Sequence, residues 1–243
     1  MKTVIGFDNK EHEVVTEPKT ECESYVIDEI FYHAENHLVV GTSAHLYPLL
    51  RMAKAVGARA YGEKYRKTTG LPYEDHLTEV YRLCSHYKFS HGNDAMYAAA
   101  VLHDYLEDAV KRGNDQKTTT QWMKTTFGYP VTTLVVEMTN DKKNEEGLYP
   151  KKDGESEVKW INKIDYINWK LSNMSSEAFF LKLLDMLSNL GDADTLPKLV
   201  QRIRSQMNYI NDNMETLFLS KLSTDHKIII GEINRILREI YKE

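Results

Sequence analysis

The spacing of apolar residues changes from a period of two near the N-terminus to a helical period over the rest of the chain. Thr3 to Phe7 and His12 to Thr16 alternate like two short strands around the polar Asp8-Asn9-Lys10-Glu11 stretch, which predicts a hairpin. Thr42 or Ser43 can cap a helix running toward Tyr65, and Asp94 can cap one through Val110. In the second of these, Tyr97, Val101, Leu102, Tyr105 and Ala109 approximate helical spacing. Thr118 opens a shorter helix expected to stop at Gly128. Between Asn140 and Glu157 periodicity is lost and Gly, Pro and charge accumulate, which predicts a long, solvated and mobile loop. Helical patterns resume from Val158 and again at Ala178 to Leu190. Ile229, Ile233, Ile236, Leu237 and Ile240 make a last apolar stripe, read as core packing, with a homodimer surface as the alternative.

These elements predict an all-α, multi-helix bundle with a short N-terminal hairpin. The expected organisation is an N-terminal extension over residues 1–42, a core over 43–195, and a C-terminal helical extension over 196–243 packed on that core. No internal repeat or low-complexity tract divides the chain. At 243 residues, with 42% hydrophobic and 28% charged, it can bury a core without disulfides. Its two cysteines, Cys22 and Cys84, form neither a bridge framework nor a C-x-x-C zinc site. A net charge of −5 argues against a nucleic-acid partner while leaving room for a basic pocket around one small anion. The start MKTVIGFDNKE turns polar too soon for a signal peptide, and no later stretch suits a membrane span, so a cytoplasmic location is expected.

Three segments concentrate chemistry. In AAAVLHDYLEDAV an apolar run presents His103, Asp104, Glu107 and Asp108. On a continuous helix, positions four apart share a face, so His103 would stack over Glu107 and Asp104 over Asp108. Several acids amid apolar flanks are costly unless a cation sits among them, although a solvated helix face is the plainer reading of one His-Asp pair. In FFLKLLDMLSNL, Lys182, Asp185 and Asn189 recur at three- and four-residue steps opposite a leucine stripe. An ordinary amphipathic helix explains that segment alone; combined with His103-Asp104, Asp185 can supply a distant carboxylate ligand. In YRKTTGLPYEDH, Arg66, Lys67 and Thr68 offer phosphate donors ahead of a Gly-Leu-Pro turn, and His76 follows. Cations ending a helix before a glycine stop account for that segment equally well.

Other motifs are weaker. His33, His37 and His45 read as exposed helix histidines. Gly57 to Lys64 approximates a P-loop, but Glu63 stands in place of the lysine, and no G-x-S-x-G is present.

Taken in order, RKTTGLPYEDH, AAAVLHDYLED, TTFGYPVTTLVVEMT and LKLLDMLSN resemble the hydrolase domain of the SpoT and Rel alarmone enzymes and their free-standing small alarmone hydrolase relatives. The resemblance runs from about Ala53 to Asp194. It implies an HD-domain fold in which His76, His103, Asp104 and Asp185 ligate one divalent ion, usually Mn2+. It also implies that Glu107 and Asp108 handle the attacking water, that Arg66, Lys67 and Thr68 hold phosphate and flank the base, and that Asn189 faces the ribose. Mixed imidazole and carboxylate ligation suits such an ion, which would bring a water's pKa from ~15.7 toward ~7. The implied activity is removal of pyrophosphate from guanosine 3′-diphosphate alarmones (ppGpp and pppGpp), with breakdown and not synthesis expected. The pattern departs at Met186 and Ser188, where the family usually has arginine and histidine, and at Leu77 and Gly191. Those departures keep two alternatives open: hydrolysis of another nucleotide, such as an adenosine alarmone, NADPH or a signalling nucleotide, or a non-catalytic nucleotide-binding regulator.

Overall fold

The structure, a computed structural model, describes residues 2–5, 11–14, 48–66, 70, 72–87, 93–151, 158–191 and 197–242. Lys67 and Thr68, the expected helix start at Thr42 or Ser43, His33, His37, His45 and Cys22 lie outside these residues. At the N-terminus, β1 (Lys2–Ile5) and β2 (Glu11–Val14) pair antiparallel, Lys2 opposite Val14.

Helices make up most of the remainder: α1 (Pro48–Tyr61), α2 (Tyr73–Tyr87), α3 (Asp94–Leu102), α4 (Tyr105–Lys111), α5 (Gln116–Met138), α6 (Lys163–Asn173), α7 (Ser176–Leu190), α8 (Pro197–Asp212) and α9 (Thr224–Tyr241). Their starts follow side-chain capping chemistry. Asn93, Asp115, Asn162 and Ser175 each accept from the backbone N–H three residues on, satisfying a donor that the first helical turn leaves open. Asp94, expected as the cap of its own helix, instead accepts from the N–H groups of Leu49 and Leu50, both at 2.8 Å. It therefore ties the start of α1 to α3.

Two helices form the centre. Met96 to Leu102 of α3 are buried at every position, so this helix has no polar face and its amphipathic signal vanishes. Its alanine run, Ala98 to Ala100, lets α1, α2 and α5 approach closely. The second central helix, α7, buries Phe179, Phe180, Leu181, Leu183 and Leu184 completely and packs against α2, α5 and α9. Among the described residues, no helix is long and apolar enough to cross a membrane.

Three expectations are corrected by the fold. The helix anticipated through Val110 breaks at His103-Asp104, the joint between α3 and α4, where Asp104 adopts φ −96° and ψ −4°. His103 is thereby released from the shared face on which a continuous helix would stack it over Glu107. The helix expected to stop at Gly128 bends there, with φ 79° and ψ 173°, and continues through Pro130 to Met138. Glycine reaches that left-handed φ without a Cβ penalty, and proline is tolerated because the kink has already removed the bond its nitrogen would make. Finally, the stretch expected to be a loop contains β3 (Tyr149–Lys151), antiparallel to β4 (Lys159–Ile161), so α6 begins at Lys163 instead of Val158.

The C-terminal helix is fastened to α7 by His226. Its Nε2–H donates to the Ser176 carbonyl at 2.9 Å, and its Nδ1 accepts from the Ser223 hydroxyl at 2.8 Å. Burial lowers the His226 pKa below its ordinary 6.5, the carbonyl of Ser176 only partly opposing this. Because the folded value lies below the unfolded one, the contribution is present above pH ~6.5 and is lost as the pH falls through the folded pKa. Thermal melts should therefore show stability falling below pH 6.5, with a shallower acid slope in His226→Gln; an unchanged slope would remove His226 as the cause.

Candidate metal centre

The joint between α3 and α4, the start of α2 and the middle of α7 meet at one point. Among the described residues, His76, His103 and Asp185 form a buried group whose potential ligand atoms all lie within 4.8 Å of one another. The Oδ1 of Asp185 is 3.3 Å from His76 Nε2 and 3.7 Å from His103 Nε2. Asp104, which stands outside that three-residue group, places Oδ2 3.3 Å from His103 Nε2. The two imidazoles cross edge to face, with ring centres 5.2 Å apart.

The surroundings aim these groups. The Nδ1 of His103 donates to the Ala100 carbonyl at 2.8 Å, leaving Nε2 for the shared point. The Nδ1 of His76 meets the Ser188 hydroxyl at 3.0 Å. Asp104 accepts from the phenol of Tyr73, which stacks on Tyr61. Asp185 accepts from Lys182 and Asn189, each at 2.7 Å. Burial disfavours charge on His103, yet Asp104 and Asp185 outweigh it and raise its pKa to about 9. Burial likewise opposes ionisation of Asp185, but Lys182 and the two histidines hold its carboxyl well below the usual range.

One atom tests whether a cation belongs here. His103 Nε2 is fully buried and makes no hydrogen bond, despite its closeness to two carboxylates. A buried nitrogen without a hydrogen-bond partner is costly, and a cation among two imidazoles and the carboxylates would satisfy it. The donor set, imidazole nitrogen with carboxylate oxygen, fits a divalent ion of borderline hardness.

The acidic pair on α4 divides. Glu107 is partly exposed, accepts from the Asn140 side-chain amide at 2.9 Å and pairs with Lys111 at 2.7 Å. Asp108 is buried and is held by Lys64 and, at 3.2 Å, by Lys111. A cavity of about 400 Å³ borders Glu107, Asp185 and Asn189, and its wall carries Lys111, Lys142, Lys143, Lys163, Lys170, Lys182 and Arg202. Met138, Leu171, Met174, Met186 and Ile203 supply an apolar portion. Arg66 donates to Asn189 Oδ1 at 3.0 Å and lines a separate hollow with His76 and Ser188.

Sequence reasoning missed Tyr73, Lys64, Lys170 and Arg202. Tyr73 stands three residues before His76, one helical turn away, a spacing that could have suggested it. Lys64, Lys170 and Arg202 come from separate segments that only the tertiary fold brings together.

No protein-family model matches the sequence, and no curated protein matches it. Among solved structures, the chain is similar to a metazoan ortholog of SpoT, described as hydrolysing ppGpp and playing a role in starvation responses. The match has 18% sequence identity and a TM-score of 0.54, covering 77% of this chain and 94% of that one. At this identity the likeness establishes a shared, mainly helical fold.

Proposed function

We propose that the protein is a metal-dependent phosphohydrolase that releases pyrophosphate from guanosine 3′-diphosphate alarmones. The observation that carries this reading is the convergence of His76, His103 and Asp185 around the unsatisfied His103 Nε2, beside a cation-lined cavity. The likeness to a ppGpp-hydrolysing protein supports the substrate class.

His76, His103 and Asp185, with Asp104 as the fourth group, would hold the ion, proposed as Mn2+. Such an ion supplies Lewis acidity and makes hydroxide available near neutral pH. Glu107 faces the cavity and is the proposed acceptor of the water's proton. Asp108, pinned between Lys64 and Lys111, anchors that end of α4. Attack on the phosphorus attached to the 3′ oxygen breaks that P–O bond and releases pyrophosphate and GDP or GTP. Lys182, Lys170 and Arg202 stand where they can offset the phosphate charge, and Arg66, Lys67, Thr68 and Asn189 are the proposed contacts to the rest of the nucleotide.

Incubation of the protein with Mn2+ and ppGpp should yield GDP and pyrophosphate in equal amounts. Bound metal without turnover would reject the alarmone as substrate.

A second reading keeps the centre and changes the nucleotide, because Met186 lines the cavity where the resembling family usually has arginine. A panel including an adenosine alarmone and NADPH separates the two.

A further inference from the structure

We infer that Asn140 is a positioning residue that holds the Glu107 carboxylate at the rim of the cavity, in the orientation that proton transfer from a water requires. The inference rests on the role proposed for Glu107 above. A glutamate has several rotatable bonds, so a partly exposed one keeps a single orientation only where its oxygens are held. Within α4, Lys111 meets Glu107 Oε1 at 2.7 Å, but Lys111 is largely exposed and a surface pair of this spacing holds weakly.

Asn140 supplies the second hold from outside the helix. Its side-chain Nδ2–H donates to Glu107 Oε2 at 2.9 Å, and its backbone N–H approaches the same oxygen at 3.4 Å. A carboxylate can only accept, so the amide must turn its nitrogen and not its oxygen toward Glu107. Each oxygen is then held by a different segment, which fixes the plane of the carboxylate as well as its place.

The side chain of Asn140 stands at an exposed position, yet the residues on either side of it are anchored. The Thr139 carbonyl accepts from Lys170, and the Thr139 N–H donates to the Val135 carbonyl at 2.9 Å. The Asp141 N–H donates to the Tyr166 hydroxyl at 2.8 Å, and that hydroxyl donates in turn to Asp141 Oδ2 at 2.9 Å. Tyr166 is fully buried and stacks on Tyr149 at 4.7 Å. The backbone that carries Asn140 is thus tied to α6, and its donor is aimed before any substrate arrives. Glu107, Asn140, Tyr166 and Lys170 all border the one cavity.

The test uses the full chain. Asn140→Ala should lower kcat for ppGpp about 10-fold or more, at unchanged KM and Mn2+ affinity. Asn140→Asp, which keeps the shape but sets a second carboxylate against Glu107, should fall at least as far. In a Glu107→Ala background, single-turnover hydrolysis should show no further loss from Asn140→Ala, because a residue acting through Glu107 then has nothing to act on. In the metal-free protein, the NMR signals of the Asn140 side-chain amide should move in Glu107→Ala. Losses that multiply across the two substitutions, a raised KM at unchanged kcat, a changed melting temperature alone, or amide signals indifferent to Glu107→Ala would each overturn the inference. A parent protein that binds Mn2+ yet releases no pyrophosphate overturns the proposed hydrolase instead.

Discussion

Asp185→Asn should abolish Mn2+ binding and reduce ppGpp turnover by about a thousandfold, ~4 kcal/mol at a factor of ten per ~1.4 kcal/mol. The substitution keeps the shape of the side chain and removes the charge that lies 3.3 Å from His76 Nε2 and 3.7 Å from His103 Nε2. It also deprives Lys182 of its 2.7 Å partner beside the cavity. Calorimetry and single-turnover hydrolysis read the two effects separately. Wild-type turnover in this variant would dismantle the catalytic assignment.

The largest effect on stability is expected where α7 meets α9, some distance from the ligands. Phe179 is fully buried, stacked on Phe218 at 5.0 Å and on His226 at 5.7 Å. Phe179→Ala removes a large buried ring from a packed layer and should cost about 3–5 kcal/mol. In a chain of this size that corresponds to a melting temperature lower by roughly 6–20 °C. Differential scanning calorimetry measures it; a loss below ~1 kcal/mol would mean that the layer collapses to fill the hole.

The clustering of polar side chains was more legible in the sequence than the backbone geometry. His103-Asp104 stood out because acids in an apolar run demand a partner; Asp185, on the face opposite a leucine stripe, read as an ordinary amphipathic position until combined with them. The structure brings His76, His103 and Asp185 together, with Asp104 outside that group. The break in the helix at His103-Asp104 was not legible. The apolar spacing runs on through these residues, and neither a proline nor a glycine marks the joint. Gly128 misled in the opposite sense: a stop signal by composition, it became a bend because α5 continues along α3 and α7. The β3–β4 pairing was hidden because three-residue strands are too short to display alternation. The cation-lined cavity was invisible for a similar reason, its lysines coming from four separate stretches of chain with no local signature.

His76, His103 and Asp185 come from segments far apart in sequence, so the proposed cation could be gripped only after those segments have docked. Ion capture would then act as a late, reversible cross-link, adding nothing to the first collapse of the chain and adding resistance to its dissolution. Removing the ion with a chelator should consequently accelerate unfolding far more than it slows refolding. Pulse proteolysis in chelator would report that asymmetry as a shortened native lifetime around α7.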